Sequence, residues 1–182
     1  MRRLRVKAAV GVAAIGAVGV TGAAVAGDHG KLETTLSSFE EVPALVTDGH
    51  GTFKARMSKD EVRYELSYGG LEGGEVRQAH IHIGQEGVSA GISVWLCDST
   101  TNPSPVATTP ACPPSAGTVR GTLTAADVVG PAGQGVAPQE FEDFARAIQA
   151  GVAYANVHTA TYAGGEIRGQ IDDDRGHGHG HD

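Results

Sequence analysis

Basic residues are scarce in this chain. Its 182 residues include 14 Lys and Arg against 21 Asp and Glu, a formal net charge of −7. Such a chain repels a nucleic-acid backbone, and no stretch interleaves basic and aromatic residues as a single-strand groove requires. Nucleic acid is therefore excluded as a partner. Long apolar runs are missing too. Ala8–Val20 covers 13 residues, short of the roughly 20 that cross a bilayer as a helix. Catalytic signatures are equally thin: there is no G-x-S-x-G elbow, no ordered triad and no phosphate-binding loop, since the glycines punctuate turns. Glu40 and Glu41, close to Pro43, read as part of a turn rather than an acid–base pair. Not one histidine occurs between Ile83 and Val157.

What is present first describes an exported protein. Arg2, Arg3, Arg5 and Lys7 precede the apolar run, and Ala24-Val25-Ala26 follows it with a small-residue cleavage pattern. The expectation is a signal peptide over residues 1–26, cut after Ala26, with no membrane span in the mature form. No cysteine lies near the cut to carry a lipid anchor. Removal of 1–26 takes four of the 14 basic residues and no acidic one, leaving 10 against 21 and a formal charge of −11. Cys97 and Cys112, the two cysteines, then form the default disulfide of an oxidising compartment. Closing the loop DSTTNPSPVATTPA is worth about 3 kcal/mol in the chain-entropy account.

The body of the chain has the period of strands. Val62, Tyr64, Leu66 and Tyr68 alternate with Arg63, Glu65 and Ser67, the pattern of a half-buried strand. Further strands are expected at 32–39, 52–57, 76–84, 92–97, 118–123, 152–158 and 166–171, and Thr124 with Asp127 resembles a short helix start. A helix is expected between Pro138 and Gly151, because Phe141, Phe144, Ala145 and Ile148 share one face. The fold class is all-β: an antiparallel Greek-key sandwich or barrel with one short helix in its C-terminal half. It occupies residues 31–171, after a polar lead-in at 27–30 and before a disordered His/Gly/Asp tail at 172–182.

Strand alternation also sorts the chemistry. In QAHIHIG, His80 and His82 share one face while Ala79, Ile81 and Ile83 share the other, so an apolar core places both imidazoles outside, about 7 Å apart at their bases. In VAYANVHT, the small residues Ala153, Ala155 and Val157 oppose Tyr154, Asn156 and His158. In GEIRGQI, Ile167 and Ile171 oppose Glu166, Arg168 and Gln170. One outer surface can thus gather three histidines as candidate metal ligands, His80, His82 and His158. Tyr154, Asn156, Glu166 and Gln170 would support them. Three imidazoles with an open position suit Cu or Zn. A merely solvated polar strand face would show the same residue types, and both readings stand at this point.

The segments EEVPAL, GGLEGGEVRQAHIHIG, GTLTAADV and FARAIQAGVAYANVHTATYAGGEIRGQI, in this order, closely resemble the CHRD domain. That domain is found in the extracellular protein chordin and in many exported bacterial proteins. The resemblance implies an extracellular binding or interaction module, with an extracellular protein or envelope component as partner. The family is also distantly similar to copper-zinc superoxide dismutase. That similarity implies copper as cofactor at His80, His82 and His158, and Arg168 as a guide for an anion. The zinc and bridging histidines are absent, so a copper-only centre is all it implies.

Both ends add secondary metal candidates. Cleavage after Ala26 would expose Gly27-Asp28-His29, a square-planar nitrogen set of the kind Cu(II) prefers. His177, His179 and His181 on glycine spacers would make a weak, adaptable chelator. The leading expectation is a non-enzymatic binding module able to hold copper. A copper-only oxidoreductase and a purely structural envelope or matrix protein are the alternatives.

Overall fold

In a computed structural model of the chain, residues 30–173 are described. The expected signal peptide, the candidate Gly27-Asp28-His29 site and the candidate histidines at 177, 179 and 181 lie outside the described residues.

Among the described residues nine strands follow one another: β1 Gly30–Ser37, β2 His50–Met57, β3 Val62–Gly69, β4 Val76–Ile83, β5 Gly91–Cys97, β6 Gly117–Leu123, β7 Ala153–Thr159, β8 Ile167–Gln170 and β9 Asp172–Asp173. The alternating pattern does what it promised. Gly51, Phe53, Ala55 and Met57 of β2, and Val62, Tyr64, Leu66 and Tyr68 of β3, point inward and are buried. All pairings between strands are antiparallel, in the spatial order β5-β4-β7-β8-β1-β2-β3-β6, with β9 added beside β1. The sheet curls into a nearly closed barrel, bringing its end strands β5 and β6 into contact without a ladder. At this seam the Tyr64 hydroxyl donates to the Leu96 carbonyl, and Val129 N–H to that of Ser93. Edge carbonyls left bare inside would be costly, and these donors satisfy them.

Three element boundaries differ from expectation, each for a local reason. β1 stops at Ser37, and a 3-10 turn at Ser38–Glu40 leaves Phe39 65 % exposed. The helix α1 spans Phe141–Gln149, because Gln139 adopts a left-handed φ of 68° and prevents an earlier start. Phe141, Phe144 and Ile148 enter the core as its period required. Strand pairing also runs two residues beyond Ile171, with Asp172 opposite Glu33 and Asp173 opposite Leu32. The Thr124–Asp127 start is a single 3-10 turn, closed by Asp127 Oδ2 accepting from the Thr124 N–H and hydroxyl. Cys97 and Cys112 form the expected disulfide, pinning the Thr/Pro loop to the end of β5.

Candidate metal centre

The register of β4, β7 and β8 builds the site. His80 lies opposite Asn156 and His82 opposite Tyr154, while Asn156 and Tyr154 lie opposite Arg168 and Gln170. His158, opposite Gln78, is the diagonal neighbour of His80 on the same face. All these side chains project away from the barrel interior, as alternation demands.

They are not wet. His80 is 0 %, His82 6 % and His158 5 % exposed, which rules out the reading of a merely solvated strand face. Loops roof this part of the sheet through main-chain groups. Ala90 carbonyl meets His82 Nδ1 at 2.9 Å, and Ala90 N–H donates to the Tyr154 hydroxyl at 3.0 Å. Ala163 carbonyl meets His158 Nδ1 at 3.1 Å. Buried polar side chains need partners, and the roof supplies them.

Burial sets the protonation state. It drives His80 down to about 2, helped by His158 and His82, and His158 down to about 4, helped by His82. His82 falls to about 4 for the same first reason, with the Ala90 carbonyl opposing and the Arg168 charge adding. All three rings are therefore neutral near pH 7. The two carbonyl partners assign the Nδ1 protons of His82 and His158, which leaves the Nε2 of each ring as an acceptor. His80 Nδ1 then donates to His158 Nε2 at 3.1 Å. Nε2 of His80 and of His82 are buried with no hydrogen-bond partner. One nitrogen from each ring lies within 4.8 Å of the other two. Metal–nitrogen bonds of about 2.0–2.1 Å require nitrogens roughly 3.3–3.6 Å apart, so coordination would draw the rings inward and replace the His80–His158 hydrogen bond.

The strands carrying these histidines are those of AHIHIG, NVHT and GGEIRGQI, and residues 32–171 match the CHRD domain. The chain belongs to the CHRD domain family. Nothing among curated proteins or solved structures matches it.

The other polar residues of this CHRD domain hold the roof in place. Arg168, 2 % exposed, lies 3.5 Å above the Tyr154 ring and donates to the carbonyls of Val88 (2.9 Å) and Gln85 (3.0 Å). Tyr154 in turn stacks on His82, with ring centres 4.8 Å apart and planes 5° from parallel. Gln170 ties the carbonyls of Gly84 and Gly151 together. Glu166 accepts from the N–H groups of Glu72 and Gly73 and from the Thr159 hydroxyl, fixing the GGLEGG turn. Asn156 is buried, and its Oδ1 lacks a partner.

Glu41, Gly165 and Trp95 also belong to the site, and none of them was a site candidate from the sequence. Glu41, read as part of a turn, is buried beside this layer, and burial pushes its carboxyl up to about 7 against the pull of Arg168. A side chain at Gly165, whose φ is +127°, would collide with both Glu41 Oε1 and Asn156 Oδ1, so glycine is required there. Trp95 packs edge-to-face against His80, with ring centres 4.3 Å apart. Alternation along β5 could have found it, because Val94 and Leu96 face the core and Trp95 must then face the histidines.

Proposed function

We propose that this CHRD domain is an exported binding module that holds a transition metal, copper before others, on His80, His82 and His158. The observation that carries the reading is the convergence of three buried, neutral imidazoles, two of them with partnerless Nε2 atoms. Buried polar atoms without partners are uncommon in native proteins and call for an explanation. A metal supplies one, and the ring orientations fit it, because carbonyls hold the Nδ1 atoms of His82 and His158 as outer partners hold metal-ligating histidines. Bound there, copper or zinc would tie β4 to β7 and stabilise the folded chain. Export rests on the N-terminal pattern and agrees with the disulfide. The partner class is an extracellular protein or envelope component, and the Gly27-Asp28-His29 and tail histidines would be secondary copper sites.

Redox turnover has weaker support. The similarity to superoxide dismutase would use Arg168 to attract an anion, yet that guanidinium is buried and donates to loop carbonyls. The reading therefore stops at binding. Its test is metal titration of the full chain carrying His29→Ala, His177→Ala, His179→Ala and His181→Ala, beside the same chain with His80→Ala, His82→Ala and His158→Ala added. One-to-one binding by the first and none by the second is expected. Equal binding by both, or by neither, would leave a structural envelope module.

A further inference from the structure

Donor number, donor charge and burial carry one more step, which rests on the metal-binding reading above. We infer that the three-histidine centre selects monovalent copper over Cu(II) and Zn(II).

Donor number comes first. Among the described residues, His80, His82 and His158 form the one cluster of His, Cys, Asp and Glu whose ligand atoms come together, and no carboxylate joins it. Glu166 is held by two backbone N–H groups and a hydroxyl, and Glu41 faces Asn156 and Gly165. A centre built here has three protein ligands. Zn(II) takes a fourth to complete a tetrahedron, and Cu(II) prefers four or more in a tetragonal arrangement. The missing ligand would have to be water, at rings 0 %, 6 % and 5 % exposed under a roof pinned by Arg168, Tyr154 and His82. Copper(I), with a filled d shell and no preference for a square plane, is satisfied by three imidazoles.

Charge points the same way. Neutral rings bring no negative charge to offset a cation. A fixed charge of the wrong sign stands close by: the Arg168 guanidinium covers Tyr154, which stacks on His82. The Born penalty for burying an ion grows with the square of its charge, so a divalent ion is penalised about four times as heavily as a monovalent one. Imidazole is an acceptable donor to copper and zinc alike, so donor type does not decide the matter. Ligand count and charge do.

Trp95 makes the site directly observable. It is the chain's one tryptophan and touches His80, so its fluorescence reports on this centre. The experiment uses the full chain carrying the four terminal His→Ala substitutions. Cu(I), under anaerobic reducing conditions, Cu(II) and Zn(II) are each delivered from a chelator of known affinity. Trp95 emission is followed throughout, and X-ray absorption gives the coordination number of bound metal. One Cu(I) with three nitrogen neighbours is expected, bound at least roughly a hundredfold more tightly than Zn(II) or Cu(II). His82→Gln and His158→Gln should each weaken Cu(I) binding. Should either fail to fold, the coordination number in the intact site decides alone. Equal or tighter binding of Zn(II) or Cu(II) at Trp95, or a four-coordinate bound copper(I), overturns the selectivity and leaves the metal site standing. If none of the three metals perturbs Trp95, the metal-binding reading falls, and the selectivity with it.

Discussion

The two faces of the β4–β7 ladder are both buried, and they are built on opposite rules. The inner face presents Ala79, Ile81, Ala155 and Val157 to an apolar core, where hydrophobic side chains of suitable size satisfy the requirement. The outer face presents His80, His82, Asn156 and His158 to loops, where each polar atom needs a named partner and several lack one. An apolar core tolerates exchange and is indifferent to pH. A buried polar layer tolerates neither exchange nor titration. The contrast explains why one ladder can both hold the barrel together and carry a site.

The largest expected difference between the faces is in acid. The histidines would titrate near 6.5 in the unfolded chain and only near 4 for His82 and His158, lower still for His80. The folded values are depressed, so this contribution is fully present above pH 6.5 and is lost as pH falls toward 4 and below. For His82 and His158 the loss at pH 4 is on the order of 3 kcal/mol each, and together this rivals the whole stability of an ordinary domain. The metal-free protein should therefore melt at steeply lower temperature from pH 6 to pH 4, and His82→Gln should flatten that slope. An unchanged slope in the variant would mean that the layer is hydrated in solution.

Phe53→Ala, in the core and fully buried, should cost about 3–5 kcal/mol by leaving a cavity. The loss should be the same at pH 5 and pH 8, measured by urea unfolding. A pH-dependent loss would show that the two layers are energetically coupled and their contributions not additive.

Glu41 gives a smaller effect of opposite sign. Its folded value of about 7 lies above the ordinary 4.5, so the folded state binds the proton more tightly between these limits. Stability from that proton is fully present below pH 4.5 and is lost as pH rises through 7. Glu41→Gln removes the charge and should stabilise the protein by up to about 3 kcal/mol at pH 8, with little change at pH 4. Arg168→Lys should cost about 2 kcal/mol, because an ammonium cannot span the Val88 and Gln85 carbonyls while covering Tyr154. Faster amide exchange at residues 85–90 would locate that loss in the roof.

How much of this the sequence revealed depends on which atoms do the holding. Strand positions and faces were legible because period-two alternation is a property of side chains: Val62 to Tyr68 could be read directly, and so could the shared face of His80, His82 and His158. The family was legible in AHIHIG, NVHT and GGEIRGQI. The burial of that face was not. Its roof acts through the carbonyls of Gln85, Val88, Ala90 and Ala163, and a carbonyl has no sequence signature. QEGVSA looks like an ordinary polar turn, and nothing in it says that Arg168 will fasten it down. Glu41 was missed for the same reason, since its burial depends on where the chain returns after Pro43.

A third position isolates burial from polarity. Glu65 and Arg120 face each other across β3 and β6, on the outward side of the barrel, as His80 and Asn156 do across β4 and β7. Their contacts are short, with Arg120 Nε and Nη2 at 2.8 and 2.7 Å from Glu65 Oε2, yet the side chains are 68 % and 43 % exposed. Exposed ion pairs contribute about 0–1 kcal/mol, because water screens them and fixing two long side chains costs entropy. A double-mutant cycle with Glu65→Ala and Arg120→Ala should therefore give a coupling below about 1 kcal/mol, shrinking in salt. The equivalent cycle on Arg168 and Tyr154, beneath the roof, should give a larger coupling that survives salt. If the two cycles matched in size and salt response, the outer layer at β4–β7 would be an ordinary solvated face, and the metal centre would lose the dry surroundings on which its selectivity depends.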